Sequence, residues 1–530
     1  MMSLLDHLPV LPVLLPLFSA VVLLVIGDGG SGAAHGSPAL VRARLFSLVS
    51  VALGLVAAVA LALDAASGEI RVYRLGEWPA PFGIVLVVDR LSALMLVLAQ
   101  LVALPVLLYA SGGWDVRGRH FHALFQFQMM GLCGVFVTGD LFNLFVFFEV
   151  LLIASYALMV HGQGRERFRY GVPYVVLNLA ASALFLFGVA LVYAFTGTLN
   201  LADLALRVPQ VSGPDAVVLQ AGAMLLLVVF GFKAALVPLH LWLPGTYAAA
   251  SAPVAALFAL MTKVGVYSIV RVHAVVFGPD AGASADLAGA WLLPLALSTS
   301  VLGALGALGA LGAQTLPRLV SWLNVASVGT ILAAVGLSTH AGLSAAIYYM
   351  AFSTLIVAAL FLLAELVGAQ RGEAGGRLEP AGPVAQPAML GTMMLLAAAS
   401  VAGLPPMPGF IGKLMILQAA DGAARPWVWS VVLGIGFLTL VGLARAGSIL
   451  FWSVRAGDGA ARSGASPRLL AATLSLLFAV LVMAAFAGPI KHYTDAASLQ
   501  LADQGAYARA VLEGGVQADT VRPFRGRSVP

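Results

Sequence analysis

The chain has 530 residues, of which 61% are apolar and 10% are charged, and its mean hydropathy is +1.00. Apolar runs of about 20 residues recur along it, so it is predicted to be an all-α polytopic membrane protein with lipid as its main solvent. Its net charge of +5 comes from arginines between apolar segments, a pattern that excludes a nucleic-acid surface. Its single cysteine, Cys133, lies in an apolar run and excludes an internal disulfide and a thiolate metal cluster.

Fourteen spans are predicted from the runs that could cross about 30 Å of hydrocarbon. They lie near residues 8–27, 40–64, 84–110, 121–137, 140–161, 173–196, 215–245, 252–278, 288–309, 318–338, 340–369, 386–420, 427–454 and 467–488. No Lys or Arg precedes the first run, so we interpret it as a retained helix and not as a secretory signal. Spans 7 and 12 are too long for straight helices and contain prolines, so we expect both to be broken.

The two breaks indicate an internal repeat. Five spans from 121 to 278 and five from 288 to 454 each have the broken helix fourth in order. Because each unit has an odd number of spans, the second unit should be inverted relative to the first. The predicted regions are 1–112 with spans 1 to 3, 113–280 and 281–456 with the two five-helix units, and 457–530 with the last span and a polar tail.

Arginine placement predicts the orientation. Thirteen arginines lie in odd-numbered loops and six in even-numbered loops or the adjoining helix ends. The positive-inside rule therefore places the odd loops in the cytoplasm and both termini outside, in a bacterial inner membrane. The tail beyond residue 489 also carries basic residues and favours the opposite orientation, although charge in a long terminal segment is a weaker determinant.

Lysine usage is the main indication of function. The chain has four lysines against 24 arginines, and Lys233, Lys263 and Lys413 lie inside apolar segments. A buried ammonium can release its proton, whereas a guanidinium stays charged. Glu149 lies too deep in its span to reach either interface, and we expect it to pair with Lys233. This set of residues predicts proton transfer across the membrane.

Structural interpretations remain open for each of these residues. A membrane lysine can be an anchor that reaches the interface, which the mid-span positions disfavour. An ion pair of Glu149 and Lys233 could simply hold two helices together. His340 is a further candidate carrier because imidazole titrates near neutrality, and an interfacial or hydrogen-bonded role is at least as good an interpretation.

Three segments carry a family resemblance: GDLFNLFVFFEVLLIASYAL, GFKAALVPLHLWLPGTYAAASAPVAALFALMTKVGVYSIVRV and GLPPMPGFIGKL. Over roughly residues 80–455 the chain resembles the antiporter-like family shared by Mrp-type cation/proton antiporters and the membrane arm of NADH:quinone oxidoreductase. Within that family it is most similar to the D subunits of Mrp and Pha antiporters. The resemblance implies a Glu–Lys pair on helices 5 and 7, a relay lysine on helix 8 and a terminal lysine on helix 12, which match Glu149, Lys233, Lys263 and Lys413.

The expected function is therefore a proton-translocating subunit of a multisubunit Na⁺ or K⁺/H⁺ antiporter, with other antiporter subunits, ions and lipid as partners and no cofactor or metal. One alternative is a proton-pumping membrane subunit of a redox complex, although the chain has one cysteine and no dinucleotide fingerprint. A second alternative is a solute carrier that acts alone. The sequence does not identify the exchanged cation.

Overall fold

The computed structural model describes residues 4–27, 37–309, 313–453 and 464–512. Arg455 and Arg462, which contribute to the orientation argument, lie outside the described residues, as does the part of the polar tail beyond residue 512.

The described part of the chain is almost entirely helical. The first ten α-helices are α1 (Leu11–Ile26), α2 (Pro38–Ala65), α3 (Arg90–Ala110), α4 (Phe121–Val137), α5 (Leu141–Val160), α6 (Arg165–Thr196), α7 (Leu201–Arg207), α8 (Gly213–Ala234), α9 (Trp242–Ala249) and α10 (Ala252–Val275). The others are α11 (Gly289–Leu308), α12 (Leu316–Val335), α13 (His340–Ala369), α14 (Pro387–Ala402), α15 (Pro408–Ala419), α16 (Arg425–Phe451), α17 (Pro467–Ala485), α18 (Ala487–Ala502) and α19 (Gln504–Leu512).

The helices confirm the predicted number of membrane spans. Twelve described helices are long and apolar enough to cross a membrane, and two shorter apolar helices, α4 and α14, complete the fourteen. The most apolar stretch of α10 is wholly buried inside the protein, and that of α13 is almost wholly buried. These two helices therefore form the centre of the bundle, and the outer helices face lipid.

Both predicted breaks are present, and local backbone chemistry explains them. α8 ends at Ala234, followed by Ala235 in the left-handed region and by Pro238, before α9 begins at Trp242. α14 ends at Ala402, followed by Gly403 with a φ of 83°, and Pro405 and Pro406 lie in the gap before α15. Of the prolines in span 7, which were expected to open the helix, Pro244 does not do so: it lies in the first turn of α9, where the amide proton that proline lacks is not needed.

Matching backbone contacts mark the two five-helix units, α4–α10 and α11–α16. In the first unit, Leu141 N donates to Leu199 O at 2.8 Å and Leu201 N donates to Gly139 O at 2.9 Å. In the second unit, Leu316 N donates to Gly376 O at 2.7 Å and Leu378 N donates to Gln314 O at 2.8 Å. Each set joins the start of the unit's second long helix to the segment after the third. The repeat is therefore visible in the backbone, although the sequence identity between the units is faint.

Two predicted spans were wrong at their starts. Span 6 was expected from residue 173, but α6 begins eight residues earlier, at Arg165. Span 3 was expected from residue 84, but Val85–Val88 form strand β2, which pairs antiparallel with β1, Arg71–Arg74. The β-branched residues Val85, Val87 and Val88 favour an extended backbone, and Asp89 then caps α3 by accepting a hydrogen bond from Ser92 N at 2.8 Å. The hairpin lies at the face of the even-numbered loops, which we call the even face.

A buried ion pair fastens α10 to the start of α3 at the even face. The Arg271 guanidinium donates to both carboxylate oxygens of Asp89, at 2.5 and 2.8 Å, and also to Ser92 Oγ at 2.9 Å. Burial alone would raise the pKa of the Asp89 carboxyl, but Arg271 and Ser92 hold that pKa below its ordinary value. The carboxylate therefore stays charged at neutral pH, and the two helices share a bidentate contact.

Arg271→Met should destabilise the protein because it leaves the Asp89 carboxylate buried without its counter-charge. We expect the free energy of unfolding to fall by ~3–5 kcal/mol, measured as a lower melting temperature in detergent. The matched control is Arg169→Met, since Arg169 is 68% exposed and lies 3.8 Å from Glu166; a change below ~1 kcal/mol is expected there. Equal melting temperatures for the two variants would contradict this role.

Candidate functional site

Four predicted carriers lie on four different helices inside the bundle. Glu149 is on α5, Lys233 on α8, Lys263 on α10 and Lys413 on α15. All three lysines are buried, with relative exposures of 5%, 0% and 7% in chain order. None of the three can therefore be an anchor that reaches the interface, and each must find its hydrogen-bond partners within the protein.

Glu149 and Lys233 do not contact each other directly. Glu149 Oε1 accepts a hydrogen bond from Ser182 Oγ, and Lys233 Nζ donates to Asn178 Oδ1 at 3.0 Å. Among the described residues no ion pair joins the acid to the lysine. The predicted direct pair is thus replaced by two separate contacts with α6.

The two α6 residues are one helical turn apart, so they present adjacent contacts to the acid and the base. The side-chain amide of Asn178 is oriented by its own backbone, since Asn178 Nδ2 donates to Tyr174 O at 2.9 Å. Its oxygen is then left to accept from Lys233. The ammonium also lies 6.0 Å from the centre of the Phe148 ring and 5.9 Å from that of Phe232, where the ring faces give weak additional stabilisation.

Lys263 is held by an amide across the boundary between the two units. Its Nζ donates to Asn324 Oδ1 on α12 at 2.6 Å, and Asn324 Nδ2 lies 3.4 Å from Thr262 Oγ1. Gly265 lets α10 approach α8 closely, because a Cβ there would lie 2.5 Å from Ala234 N. The helices that carry Lys233 and Lys263 are therefore in direct backbone contact beside both lysines.

Lys413 uses the broken end of α14. Its Nζ donates to Val401 O at 3.0 Å and to Ala402 O at 2.9 Å, which are among the last carbonyls before the break. Carbonyls in the last turn of a helix lack helical partners, and the negative end of the helix dipole favours a cation there. The break therefore supplies the acceptors that Lys413 needs.

A small cavity of about 20 Å³ lies beside Lys413. Serine and threonine residues from four positions are part of its lining: Ser327, Thr330, Ser353 and Thr439. This volume is sufficient for one water molecule. Ser327 Oγ donates to Asn324 O at 2.8 Å, so the cavity begins one helical turn from the residue that holds Lys263.

His340 lies apart from this group. It is the first residue of α13, is exposed, and lines a larger cavity at the even face.

Sequence reasoning missed Asn178, Ser182 and Asn324. The available signal was an amide or hydroxyl within otherwise apolar runs, as in VVLNLAASALF and SWLNVAS, where an unpartnered polar group would be costly.

Residues 138–439 match the transmembrane family described as NADH:quinone oxidoreductase/Mrp antiporter. The chain belongs to this family. The match runs from α5 into α16 and includes both broken helices and the positions of Glu149, Lys233, Lys263 and Lys413. It confirms the resemblance seen in the three sequence segments, and the protein is a multi-pass membrane protein.

Individual relatives extend the similarity over nearly the whole chain. It is 39% identical to the D subunit of a probable K⁺/H⁺ antiporter from Rhizobium meliloti, over 96% of this chain and 98% of that protein. It is 34% identical to the D subunit of the Na⁺/H⁺ antiporter of Bacillus subtilis, over 96% of this chain and 100% of that protein. A chain in the Mrp complex structure from Dietzia sp. DQ12-45-1b superposes with a TM-score of 0.83 at 28% identity, covering 96% of this chain and 100% of that chain.

Asn324→Leu should destabilise the fold because Lys263 Nζ would lose its side-chain acceptor inside the bundle. The expected cost is ~1–3 kcal/mol for a buried polar group left without a partner, measured as a lower melting temperature in detergent. The control is Ser298→Ala on the neighbouring helix α11, since Ser298 is exposed and bonds only within its own helix. If both variants have the melting temperature of the parent protein, the Asn324 contact contributes nothing to holding the Lys263 ammonium.

Proposed function

We propose that this chain is the proton-translocating subunit of a multisubunit monovalent cation/proton antiporter in a bacterial membrane. Glu149, Lys233, Lys263 and Lys413 carry protons in sequence near the membrane midplane. The observation that supports this most directly is that each lysine, though buried, donates to neutral oxygens of an amide or of the backbone. A neutral acceptor stabilises an ammonium less than a carboxylate does, so the proton can be released.

Arg271 shows how this protein holds a buried charge that is permanent, for comparison with the three lysines. Arg271 forms a bidentate contact with Asp89, a carboxylate, and neither group can leave the pair without a large desolvation cost. No such partner contacts Lys233, Lys263 or Lys413 among the described residues. The contrast favours exchange of protons at the lysines over a purely structural role.

Glu149 is the switch in this proposal. When its carboxylate leaves Ser182 and turns to Lys233, the counter-charge favours the ammonium form. When it returns to Ser182, as in the structure, only the Asn178 amide supports the charge and the proton moves to Lys263 through transient waters. From the Asn324 contact, the hydroxyl-lined cavity gives a route to Lys413.

The named relatives favour an antiporter over a redox complex, the other class that the family includes. Two proteins related over nearly the whole chain are named as D subunits of antiporters, one for K⁺ and one for Na⁺. Partners in this proposal are the other antiporter subunits. The basic test is collapse of a preset pH gradient by added Na⁺ or K⁺, in inverted vesicles containing the complete complex. Co-purification with iron–sulfur subunits would instead support the redox alternative.

Lys413→Arg should abolish antiport, because arginine retains the charge and cannot release the proton at accessible pH. A fall of roughly 100-fold or more in the rate of gradient collapse is expected. The control is Lys491→Arg, since Lys491 is about half exposed and pairs with Asp495 on α18. Full activity of Lys413→Arg would exclude proton carriage at this position.

Glu149→Gln should remove the switch while leaving the complex assembled, because the amide can still hydrogen-bond with Ser182 and cannot become a counter-charge for Lys233. We expect gradient collapse to be lost and the amount of assembled complex in the membrane to be unchanged. Glu373→Gln is the matched control at an exposed glutamate. Transport that persists in Glu149→Gln would reduce Glu149 to a structural residue.

A further inference from the structure

A second and much larger cavity opens at the even face of the bundle. Its volume is about 750 Å³, and it is bounded by the end of α10, the start of α11, the end of α12 and the start of α13. Polar residues from several elements line it: His273, Asp280, Asp286, Ser338, Thr339, His340 and Gln504. A polar cavity of this size can hold a cluster of waters.

His273 is the deepest polar group of this cavity. It lies within the α10 span and is only 8% exposed, yet neither ring nitrogen has a hydrogen-bond partner among the described residues. Leaving both nitrogens of a buried imidazole unsatisfied is costly. The ring lines the cavity, and in this conformation both nitrogens are shielded from it. Rotation of the ring towards the cavity would give one nitrogen a water partner, and a water-bonded imidazole is suited to pass a proton.

Lys263 lies below this cavity on the same helix. His273 is ten residues further along α10, which corresponds to roughly 15 Å towards the even face. Val270, seven residues from Lys263 and therefore on the same helix face, also lines the cavity. On α12, Val335 also lines the cavity; it follows Asn324 by eleven residues, or about three turns, and so lies on the same helix face as Asn324. The floor of the cavity thus faces the Lys263–Asn324 contact across a largely apolar layer of roughly 10 Å along α10.

The C-terminal helices complete the wall. α18 and α19 cover the even face after the last span, and Gln504 Nε2 donates to Ala274 O at 2.9 Å, next to His273. Ala502 and Gln504 both line the cavity. The described part of the C-terminal tail, to which the sequence assigned no role, therefore shapes one side of this space.

We propose that this cavity is the vestibule through which protons pass between the even face and the carriers, joining the sequence at Lys263 on the way to or from Lys413, with His273 as the carrier at its floor. The inference rests on the proposed function, since it requires that Lys263 exchange protons. One imidazole nitrogen accepts a proton from a transient water chain in the apolar layer while the other gives its proton to cavity water, so the net charge is unchanged after each transfer. The titratable groups that face this path are His340 on α13 and the carboxylates Asp280 and Asp286, all exposed at the mouth.

The first test is the loss and chemical rescue of transport. His273→Ala in the complete complex should lose most cation uptake, measured with radioactive sodium or rubidium in vesicles with an imposed pH gradient. The substitution opens space that is continuous with the cavity, so added imidazole should restore a large part of the uptake. Imidazole added to vesicles with the Lys263→Ala variant measures the direct effect of imidazole on the pH gradient. As a matched control, His492→Ala removes an exposed histidine on α18 and should transport like the parent.

The outcomes separate this inference from the proposed function. If His273→Ala transports normally while Lys263→Ala does not, the vestibule is wrong and the relay stands. If both variants transport normally, the proposed function fails as well. An assembled, inactive His273→Ala complex that imidazole does not restore would make His273 a structural residue and overturn its role as carrier.

A second test detects the water-filled space without relying on activity. Cys133 is buried and can be replaced by alanine, so that a new cysteine becomes the chain's only one. Leu343→Cys, which lines the cavity, should react with a membrane-impermeant thiol reagent from the same side as Asp286→Cys. Leu362→Cys, fully buried on the same helix, should not react. Failure of Leu343→Cys to react would overturn the proposal.

Discussion

The cost of a charge in hydrocarbon is the constraint from which the rest of the structure follows. The protein meets this cost in two ways. Where the charge is permanent, as at Arg271, a carboxylate neutralises it with bidentate geometry. Where it is a lysine, the partners are neutral oxygens of Asn178, Asn324 or the end of α14. These oxygens lower the cost of the ammonium without neutralising it, and under the proposed function this difference separates the structural charge of Arg271 from the lysines that exchange protons.

The two broken helices differ in how the nearby lysine finds its hydrogen-bond acceptors, although the breaks occupy the same place in the two units. At the second break, the free carbonyls of α14 hold Lys413 directly. At the first, Ala235 in the left-handed region bonds back to Gly231 and Phe232, and Trp242 Nε1 also donates to Phe232 O at 3.2 Å. Those contacts satisfy Gly231 O and Phe232 O in the last turn of α8. Lys233 also precedes its break, whereas Lys413 follows its own, and Lys233 Nζ donates to the Asn178 side chain on α6. A helix break near a lysine therefore does not determine which oxygens the lysine will use.

The sequence was sufficient for features that depend on local chemistry or on the solvent. Apolar run length predicts the spans, Pro405 and Pro406 predict the second break, and the mid-span lysines identify the buried charges. It was insufficient where a partner comes from a distant segment. The α6 residues that separate Glu149 from Lys233 and the Asp89 partner of Arg271 all depend on tertiary packing. The β-hairpin was missed because a run of valines fits the start of a buried helix and a strand equally well.

Comparison of the two units shows that only the first has an acidic residue at the position of Glu149. Glu149 lies eight residues after Leu141, and Asn324 lies eight residues after Leu316, and these two leucines make the equivalent backbone contacts of their units. The positions correspond, yet the first unit has a carboxylate there and the second has an amide that cannot ionise. Under the proposed relay, Lys233 therefore has a partner whose charge and position can change, while Lys263 always meets the same neutral acceptor. Control of the proton then belongs to the first unit, and the second unit conducts what the first releases.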